Sequence, residues 1–239
     1  MDPALACIRT MSYPGRLIII GLSPSGQQVA LYAVTGRSPS SQARRLKIDS
    51  ARQCIVIRPT DETILRTGNP TLLVYPAIMW GTRGVAISNG TQTEAVFEHL
   101  APDRTPVEVL VRSLRDWHYE PDEPNFTPRI SGCITKDGAA LSIIKRAPDG
   151  SSMRAFFEVP MIRGSGKMIA TYTGMHRDPL PSFIGEPYDI AIPWDSPQAA
   201  AQAFYDALGP QAGNPDVRVA TAAVFSRETV AVHVHNRYA

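Results

Sequence analysis

The residues best suited to chemistry lie in the stretch 117–131, which reads W-H-Y-E-P-D-E-P-N-F-T-P-R-I-S. Its three prolines fix φ and disfavour helix in the residues before them, so the segment is predicted to be extended and stiff. Glu120 stands between an aromatic residue and a proline, where a partly buried carboxylate with a shifted pKa could meet a ligand. The alternative is a surface connector whose acidic side chains are simply solvated.

A second polar loop, at residues 36–45, combines hydroxyl and guanidinium groups. Gly36-Arg37-Ser38 is followed by Arg44 and Arg45. A guanidinium group can bind phosphate or a planar carbonyl-bearing group through two parallel hydrogen bonds. Solvated surface arginines are the alternative explanation.

A third stretch, Ser88-Asn89-Gly90-Thr91, is predicted to lead from a strand into the N-terminus of a helix. Free N–H groups and the positive end of the helix dipole can hold a phosphate there without a charged side chain. A helix that is merely well capped would give the same sequence.

Tyr75 is embedded in the apolar run of residues 72–76. A tyrosine in such a run usually belongs to the core and has its hydroxyl hydrogen-bonded. At the end of a strand near the polar loops, the same hydroxyl could donate to a reacting oxygen.

Two further patterns are rejected as sites. His233-x-His235 places both imidazoles on one face of a strand, but no third ligand accompanies them, so no metal is expected. Cys7 lacks the matching base and the cleavage signal that an N-terminal nucleophile needs. Cys7, Cys54 and Cys133 are far apart in the sequence and are expected to be reduced thiols.

Composition limits the classes of partner. The 239 residues are 44% hydrophobic and 19% charged, which is typical of a globular protein. The longest apolar run, residues 72–80, is far shorter than a membrane span, so no membrane contact and a cytoplasmic location are expected. A net charge of +2 gives no field for binding nucleic acid, and the arginine loop suits a small anion better.

Patterning predicts a single α+β domain. Residues 1–12 are expected to form a loose N-terminal leader and residues 13–239 one domain. Strands are predicted at residues 16–21, 28–35, 53–58, 71–80, 84–88, 129–135, 139–146, 153–159, 167–172, 217–225 and 229–234. Helices are predicted from Thr91 and Thr105, each with a capping box, and from Ser196. Antiparallel batches of strands with few helices favour two packed sheets in a layered sandwich.

Five collinear stretches within residues 13–135 resemble the archaeal-type inosine monophosphate cyclohydrolase family. They are Tyr13-Pro14-Gly15-Arg16; Gly36-Arg37-Ser38 through Arg44; Asn69-Pro70 with Leu73-Val74-Tyr75; Ser88-Asn89-Gly90-x-x-Thr93; and Tyr119-Glu120-x-Asp122 with Thr127-Pro128-Arg129-Ile130. The resemblance implies a four-layer α-β-β-α sandwich, similar to that of N-terminal-nucleophile hydrolases but without their nucleophile. It also implies closure of 5-formamidoimidazole-4-carboxamide ribonucleotide to inosine monophosphate with loss of water.

The same resemblance places the family's proposed active-site residues on Arg44, Tyr75 and Glu120. In our hypothesis Tyr75 donates to the formyl oxygen, Glu120 accepts the carboxamide proton and Arg44 orients the base. Further contacts to the substrate are predicted for Arg37, Ser38, Asn89, Gly90, Asp122 and Arg129. No cofactor is expected, and the resemblance suggests a homo-oligomer.

Two positions depart from the family pattern. The residue after the site tyrosine is commonly Asn and is Pro76 here, and Glu94 stands where Asp is frequent. Pro76 removes a side-chain donor and a backbone N–H. A non-catalytic purine-nucleotide-binding protein and an amidohydrolase on the same fold are therefore kept as alternatives.

Overall fold

A computed structural model describes residues 3–61, 63, 74–210 and 214–238. Its strands, numbered in chain order, are β1 (Arg16–Leu22), β2 (Gln28–Thr35), β3 (Arg44–Asp49), β4 (Cys54–Pro59), β5 (Tyr75–Gly81), β6 (Gly84–Ser88), β7 (Arg129–Thr135), β8 (Gly138–Arg146), β9 (Ser152–Val159), β10 (Ser165–Ala170), β11 (Tyr188–Ala191), β12 (Arg218–Ser226) and β13 (Val230–Asn236). The helices are α1 (Pro39–Gln42), α2 (Gln92–His99), α3 (Pro106–Ser113) and α4 (Pro197–Ala207). No helix in these ranges has the length and apolar character needed to cross a membrane.

The strands form two antiparallel sheets, which confirms the predicted α+β class. The first sheet has the order β11-β10-β1-β2-β12-β13 and the second the order β3-β4-β5-β6-β7-β8-β9. The second sheet is a meander, because each strand pairs with the next one along the chain. Turn residues set its hairpins. In the β7–β8 hairpin Thr135 pairs with Gly138, and the loop consists of the two residues Lys136 and Asp137.

Successive side chains of a strand point to opposite faces of the sheet, and this explains how the helices and sheets pack. Leu141 and Ile143 of β8 belong to the large core that both sheets share. Ala140 and Ile144 point the other way, into a smaller cluster with α2 and α3. Helix α4 packs against the first sheet, where the Thr221 hydroxyl donates to the carbonyl oxygen of Ala201 at 2.8 Å.

The prediction of a loose leader is wrong for residues 3–10. Two 3-10 turns, Pro3–Leu5 and Ile8–Thr10, precede β1. Leu5 and Ile8 are fully buried in the shared core. Two apolar side chains within four residues are too few to show a periodicity, yet their burial ties the segment to the sheets.

Two strands are not predicted by the sequence, and both are edge strands. β3 and β11 end the second and first sheets, respectively. β3 begins at Arg44, inside the predicted loop 36–45, and only Leu46 within it is buried. Charged residues are typical of edges, which hides the alternation that identifies inner strands.

Of the three predicted helix caps, two are confirmed and one is wrong. Thr105 accepts from the N–H of Glu108 and caps α3, and Ser196 caps α4 through Ala199. Thr91 does not cap α2, because its own φ and ψ of −63° and −16° are already helical. Thr93 is bonded to the carbonyl oxygen of Gly90 instead, at 2.8 Å.

Candidate active site

A cavity of about 330 Å³ opens where β1, β3, β5 and β7 begin and where β2, β6 and β10 end. Its size is within the range of small-molecule sites. The lining side chains come from segments far apart in sequence. They are Tyr13, Arg16, Arg37, Ser38, Ser41, Arg44, Tyr75, Asn89, Glu120, Asp122, Asn125, Thr127, Tyr172 and Leu180.

Tyr75 stands at the start of β5 beside an irregularity in the sheet. Ile55 pairs with Ile78 but Val56 pairs with Pro76, so β5 carries one extra residue there. A proline is tolerated at such a bulge because the regular ladder is already interrupted, and bulges commonly re-aim a side chain beside a site. Pro76 is therefore compatible with the position of the Tyr75 side chain at the cavity.

The Tyr75 hydroxyl is held from behind by a second tyrosine. Its oxygen lies 3.1 Å from the hydroxyl oxygen of Tyr32, which is fully buried. Burial, followed by the neighbouring Tyr75, raises the pKa of Tyr32 well above its ordinary value. Tyr32 therefore keeps its proton at neutral pH, and the contact restrains the position of the Tyr75 hydroxyl oxygen.

Glu120 presents an enclosed carboxylate to the same space. Its side chain is only 16% exposed, and Oε1 lies 3.6 Å from Nη1 of Arg129. Burial raises the pKa of Glu120, and the charges of Arg129, Arg16 and Arg44 offset part of that effect. A carboxylate with a raised pKa is a stronger proton acceptor than an exposed one.

Asn89 fixes the loop that carries Glu120. Its Nδ2 donates to the carbonyl oxygen of Pro128 at 2.8 Å, and its Oδ1 accepts from the N–H of Ile130 at 2.9 Å and from Gln92 Nε2 at 3.0 Å. The N–H of Glu120 donates across the loop to the carbonyl oxygen of Thr127 at 2.9 Å. The proline-rich segment is therefore an ordered wall of the cavity.

Asp122 ends a chain of hydrogen bonds along another wall. Its carboxylate accepts from the N–H of Thr127 at 2.6 Å and from the Thr127 hydroxyl. Because that hydroxyl donates its proton to Asp122, the Tyr172 hydroxyl must donate to it, at 2.7 Å. Burial raises the pKa of Tyr172 to about 12, so its proton is retained at neutral pH. Asp122 keeps lone pairs free to accept from ligand hydroxyls.

The rim of the cavity carries hydroxyl groups and one ordered arginine. Ser38 is the N-cap of the short helix α1 and Ser41 lies within it, and the Ser38 hydroxyl accepts from the N–H of Ser41 at 3.2 Å. The Arg37 guanidinium lies 5.3 Å from the ring centroid of Tyr13, which itself stacks on Tyr172. Contact with an aromatic face restrains a guanidinium without using its N–H groups.

Residues 13–229 match the family model described as "IMP cyclohydrolase-like protein". This chain belongs to that family. It is 28% identical over 199 residues to an IMP cyclohydrolase of Methanothrix thermoacetophila, covering 80% of this chain and 92% of the relative. An IMP cyclohydrolase of Methanopyrus kandleri is 30% identical over 161 residues, covering 67% of this chain and 75% of the relative. The resemblance read from the five motifs is thereby confirmed.

Most of the predicted site residues of this family member meet at the cavity. Those that line it are Arg37, Ser38, Arg44, Tyr75, Asn89, Glu120 and Asp122. The predicted strand at 71–80 is described from Tyr75 onwards, and the motif residues Asn69, Pro70 and Leu73 lie outside the described residues.

Gly90 and Arg129 do not line the cavity, so the prediction that they bind substrate directly is not supported. Arg129 lies behind Glu120, donating to the carbonyl oxygen of His118 at 2.8 Å and to Gln92 Oε1 at 2.9 Å. Gly90 is buried against the side chains of Arg129 and Gln92, and Gln92 and Thr93 at the start of α2 are buried as well. The predicted phosphate site at that helix N-terminus is therefore not open to a ligand.

Arg16, Tyr13 and Tyr172 are among the lining residues that sequence reasoning gave no role. Arg16 and Tyr13 lie within the first matching motif, and an arginine opening a strand of buried isoleucines was the available signal. Tyr172 follows β10 and lies outside the five motifs. Cys7 does not line the cavity, and burial raises its pKa, so the thiol has no support as a nucleophile.

Substitution of Gly90 by alanine is expected to lower kcat roughly tenfold, because even a small displacement of a catalytic group is costly. A Cβ there would lie 2.6 Å from Arg129 Nη1 and 2.5 Å from Gln92 Oε1, so these side chains must shift, and Arg129 is the residue that contacts Glu120. Steady-state kinetics would measure the effect. Gly81→Ala is the matched control, since its Cβ would meet only the Phe97 ring at 3.1 Å. Equal kcat in both variants would contradict the expected link.

Proposed function

We propose that this protein closes the ring of 5-formamidoimidazole-4-carboxamide ribonucleotide, forming inosine monophosphate and water. The observation that carries the proposal is the meeting of Glu120, Tyr75 and the Arg44 guanidinium in one enclosed cavity. The carboxamide nitrogen is a poor nucleophile and the formyl carbon a modest electrophile. A proton acceptor makes the nitrogen more nucleophilic, and a hydroxyl donor makes the formyl carbon more electrophilic. A fixed cation orients the base.

The cavity suggests one orientation for the nucleotide. The phosphate, which is strongly hydrated, lies at the rim with Arg37, Ser38 and Ser41. The ribose hydroxyls donate to Asp122, whose carboxylate can only accept. The base reaches the inner end, where Tyr75 is 3% exposed. Asn89 acts mainly by holding the loop of Glu120.

Ring closure then proceeds in two steps. The carboxamide nitrogen attacks the formyl carbon: a C–N bond forms, the C=O π pair moves to oxygen, and Glu120 accepts a proton from the nitrogen. Tyr75 donates a hydrogen bond to the resulting oxyanion, and Arg44 orients the base. The oxygen leaves as water with the proton held by Glu120 and the proton of the formamide nitrogen. The electron pair of that N–H bond forms the new C=N bond.

The decisive experiment is turnover. Purified protein mixed with the formamido ribonucleotide should produce inosine monophosphate, followed by its ultraviolet absorbance, faster than a control without protein. Absence of turnover together with tight binding of inosine monophosphate in calorimetry would overturn the proposal. That result would favour a nucleotide-binding protein on the same fold, and Pro76 would be the first position to replace by Asn.

Several finer features are part of the same proposal. We expect a single domain over residues 13–239, arranged as four α-β-β-α layers similar to those of N-terminal-nucleophile hydrolases. The placement of α2 and α3 on one sheet and α4 on the other supports this arrangement. A cytoplasmic location and a homo-oligomer remain predictions, which fractionation and light scattering would test.

A further inference from the structure

The structure places a second guanidinium, that of the partly buried Arg16, in the cavity, and a tight turn sets its position. Arg16 opens β1 directly after Gly15, whose φ is +76°. A Cβ on Gly15 would lie 2.0 Å from Oγ1 of Thr171, so only glycine fits. The same Thr171 oxygen accepts from the N–H of Arg16 at 3.1 Å. Both backbone and neighbour therefore hold Arg16 in one place.

The residues that the structure describes leave part of the hydrogen-bonding capacity of Arg16 unused. Of its five N–H groups, one on Nη1 donates to the carbonyl oxygen of Thr35 at 3.4 Å. Its Nε is fully buried and has no hydrogen-bond partner in the part of the chain that the structure describes. A buried charged donor without a partner is costly, and because Arg16 lines the cavity, a ligand bound there can supply the missing acceptor.

The surroundings of Arg16 define what that ligand must be. Its guanidinium interacts with the hydroxyls of Tyr75 and Tyr32. Arg44 is close enough that burial and the Arg16 charge together lower the pKa of Arg44. Arg44 Nε is likewise buried and unpartnered among the described residues. Two repelling cations beside a tyrosine hydroxyl form a place suited to a negatively charged oxygen.

We propose that Arg16 is a further catalytic residue, which binds the formyl oxygen together with Tyr75 as negative charge develops on it. This inference rests on the proposed function and names a group of the same site. In the first step the C=O π pair moves onto this oxygen, and the charge is matched by the fixed Arg16 guanidinium. No proton leaves Arg16, because arginine stays protonated in proteins.

The competing role for Arg16 is an anchor for the substrate phosphate. The two roles differ in the product, because inosine monophosphate retains the phosphate but has lost the formyl oxygen as water. Removing a contact to the oxygen should spare product binding. Removing a contact to the phosphate should weaken substrate and product alike.

The test compares Arg16→Gln, Arg16→Lys and Arg37→Gln in the full chain. Arg16→Gln is expected to lower kcat at least about tenfold, with the Kd for inosine monophosphate changed less than about threefold. The effect is smaller than loss of a whole oxyanion site because Tyr75 and Arg44 remain. Arg37→Gln should show the reverse split, with KM and the Kd for inosine monophosphate raised by a larger factor than kcat falls.

Arg16→Lys keeps the charge without the planar fork and should lie between wild type and Arg16→Gln in kcat. If thermal unfolding shows that Arg16→Gln does not fold, the kcat and Kd of Arg16→Lys are compared with those of wild type instead. An unchanged kcat in Arg16→Gln, or a Kd for inosine monophosphate that rises as much as kcat falls, would overturn the inference. Both results differ from failure of the proposed function, in which the wild-type protein itself shows no turnover.

Discussion

Glu120→Gln is expected to lower kcat by about 1000-fold while inosine monophosphate still binds, since removing a general base typically costs 10²–10⁴ in rate. The amide has nearly the same shape but cannot accept the carboxamide proton. Steady-state kinetics and calorimetry would measure turnover and binding separately. Retention of more than a tenth of wild-type kcat would rule out Glu120 as the proton acceptor.

The pH dependence of kcat/KM is a second test of the role of Glu120 as the proton acceptor. Burial raises its pKa, opposed by Arg129, Arg16 and Arg44 and aided by the charge of Asp122. The base must be ionised to act, so activity is full above this raised pKa and is lost as pH falls through it. The acid limb of wild type should therefore lie above the ordinary glutamate pKa of about 4.3.

The substrate phosphate also titrates, with a second pKa of about 6, and needs a control. Any limb that survives in the residual activity of Glu120→Gln belongs to the phosphate or to another group. Only the limb that disappears with the substitution is assigned to Glu120. Identical profile shapes in the two proteins would contradict the assignment.

Tyr75→Phe is expected to lower kcat at least about 100-fold, because the oxyanion loses its hydroxyl donor. The ring stays in the core, so folding should be retained, as circular dichroism would check. Tyr32→Phe is the matched control. It leaves the Tyr75 hydroxyl in place but removes the partner 3.1 Å away, and should cost less.

A double variant separates the roles of the two tyrosines. If Tyr32 acts only by directing the Tyr75 hydroxyl, Tyr32→Phe adds nothing once Tyr75 is phenylalanine. Multiplicative losses would mean that Tyr32 has an independent effect. A Tyr75→Phe protein with near-normal kcat would remove Tyr75 from the mechanism.

Local sequence signals predict many of the described elements, because their causes are local. The predicted ends of β2, β6 and β7 agree with the structure, since each strand is bounded by turn residues and has an apolar interior. The same reasoning fails at the edge strands β3 and β11. It also fails at Leu5 and Ile8, whose burial depends on a core built from distant residues.

The sequence likewise predicts some residues of the candidate site and not others. Motif positions indicate Arg44, Tyr75 and Glu120, and all three line the cavity. Spacing does not distinguish Arg129, which lies behind Glu120, from Asp122, which faces the ligand space. Both are polar residues of one loop, and only the path of the folded backbone decides which wall each one occupies.

The sequence by itself determined the α+β class, many strand and turn positions and the family to which this chain belongs. Hydrophobic periodicity, turn chemistry and collinear motifs are all written in the order of residues. Only the tertiary structure decided that Arg16 joins Tyr75 and Glu120, that Asn89 holds the loop, and that the start of α2 is closed. These facts depend on contacts between segments as far apart as Arg16 and Thr171, which packing brings together.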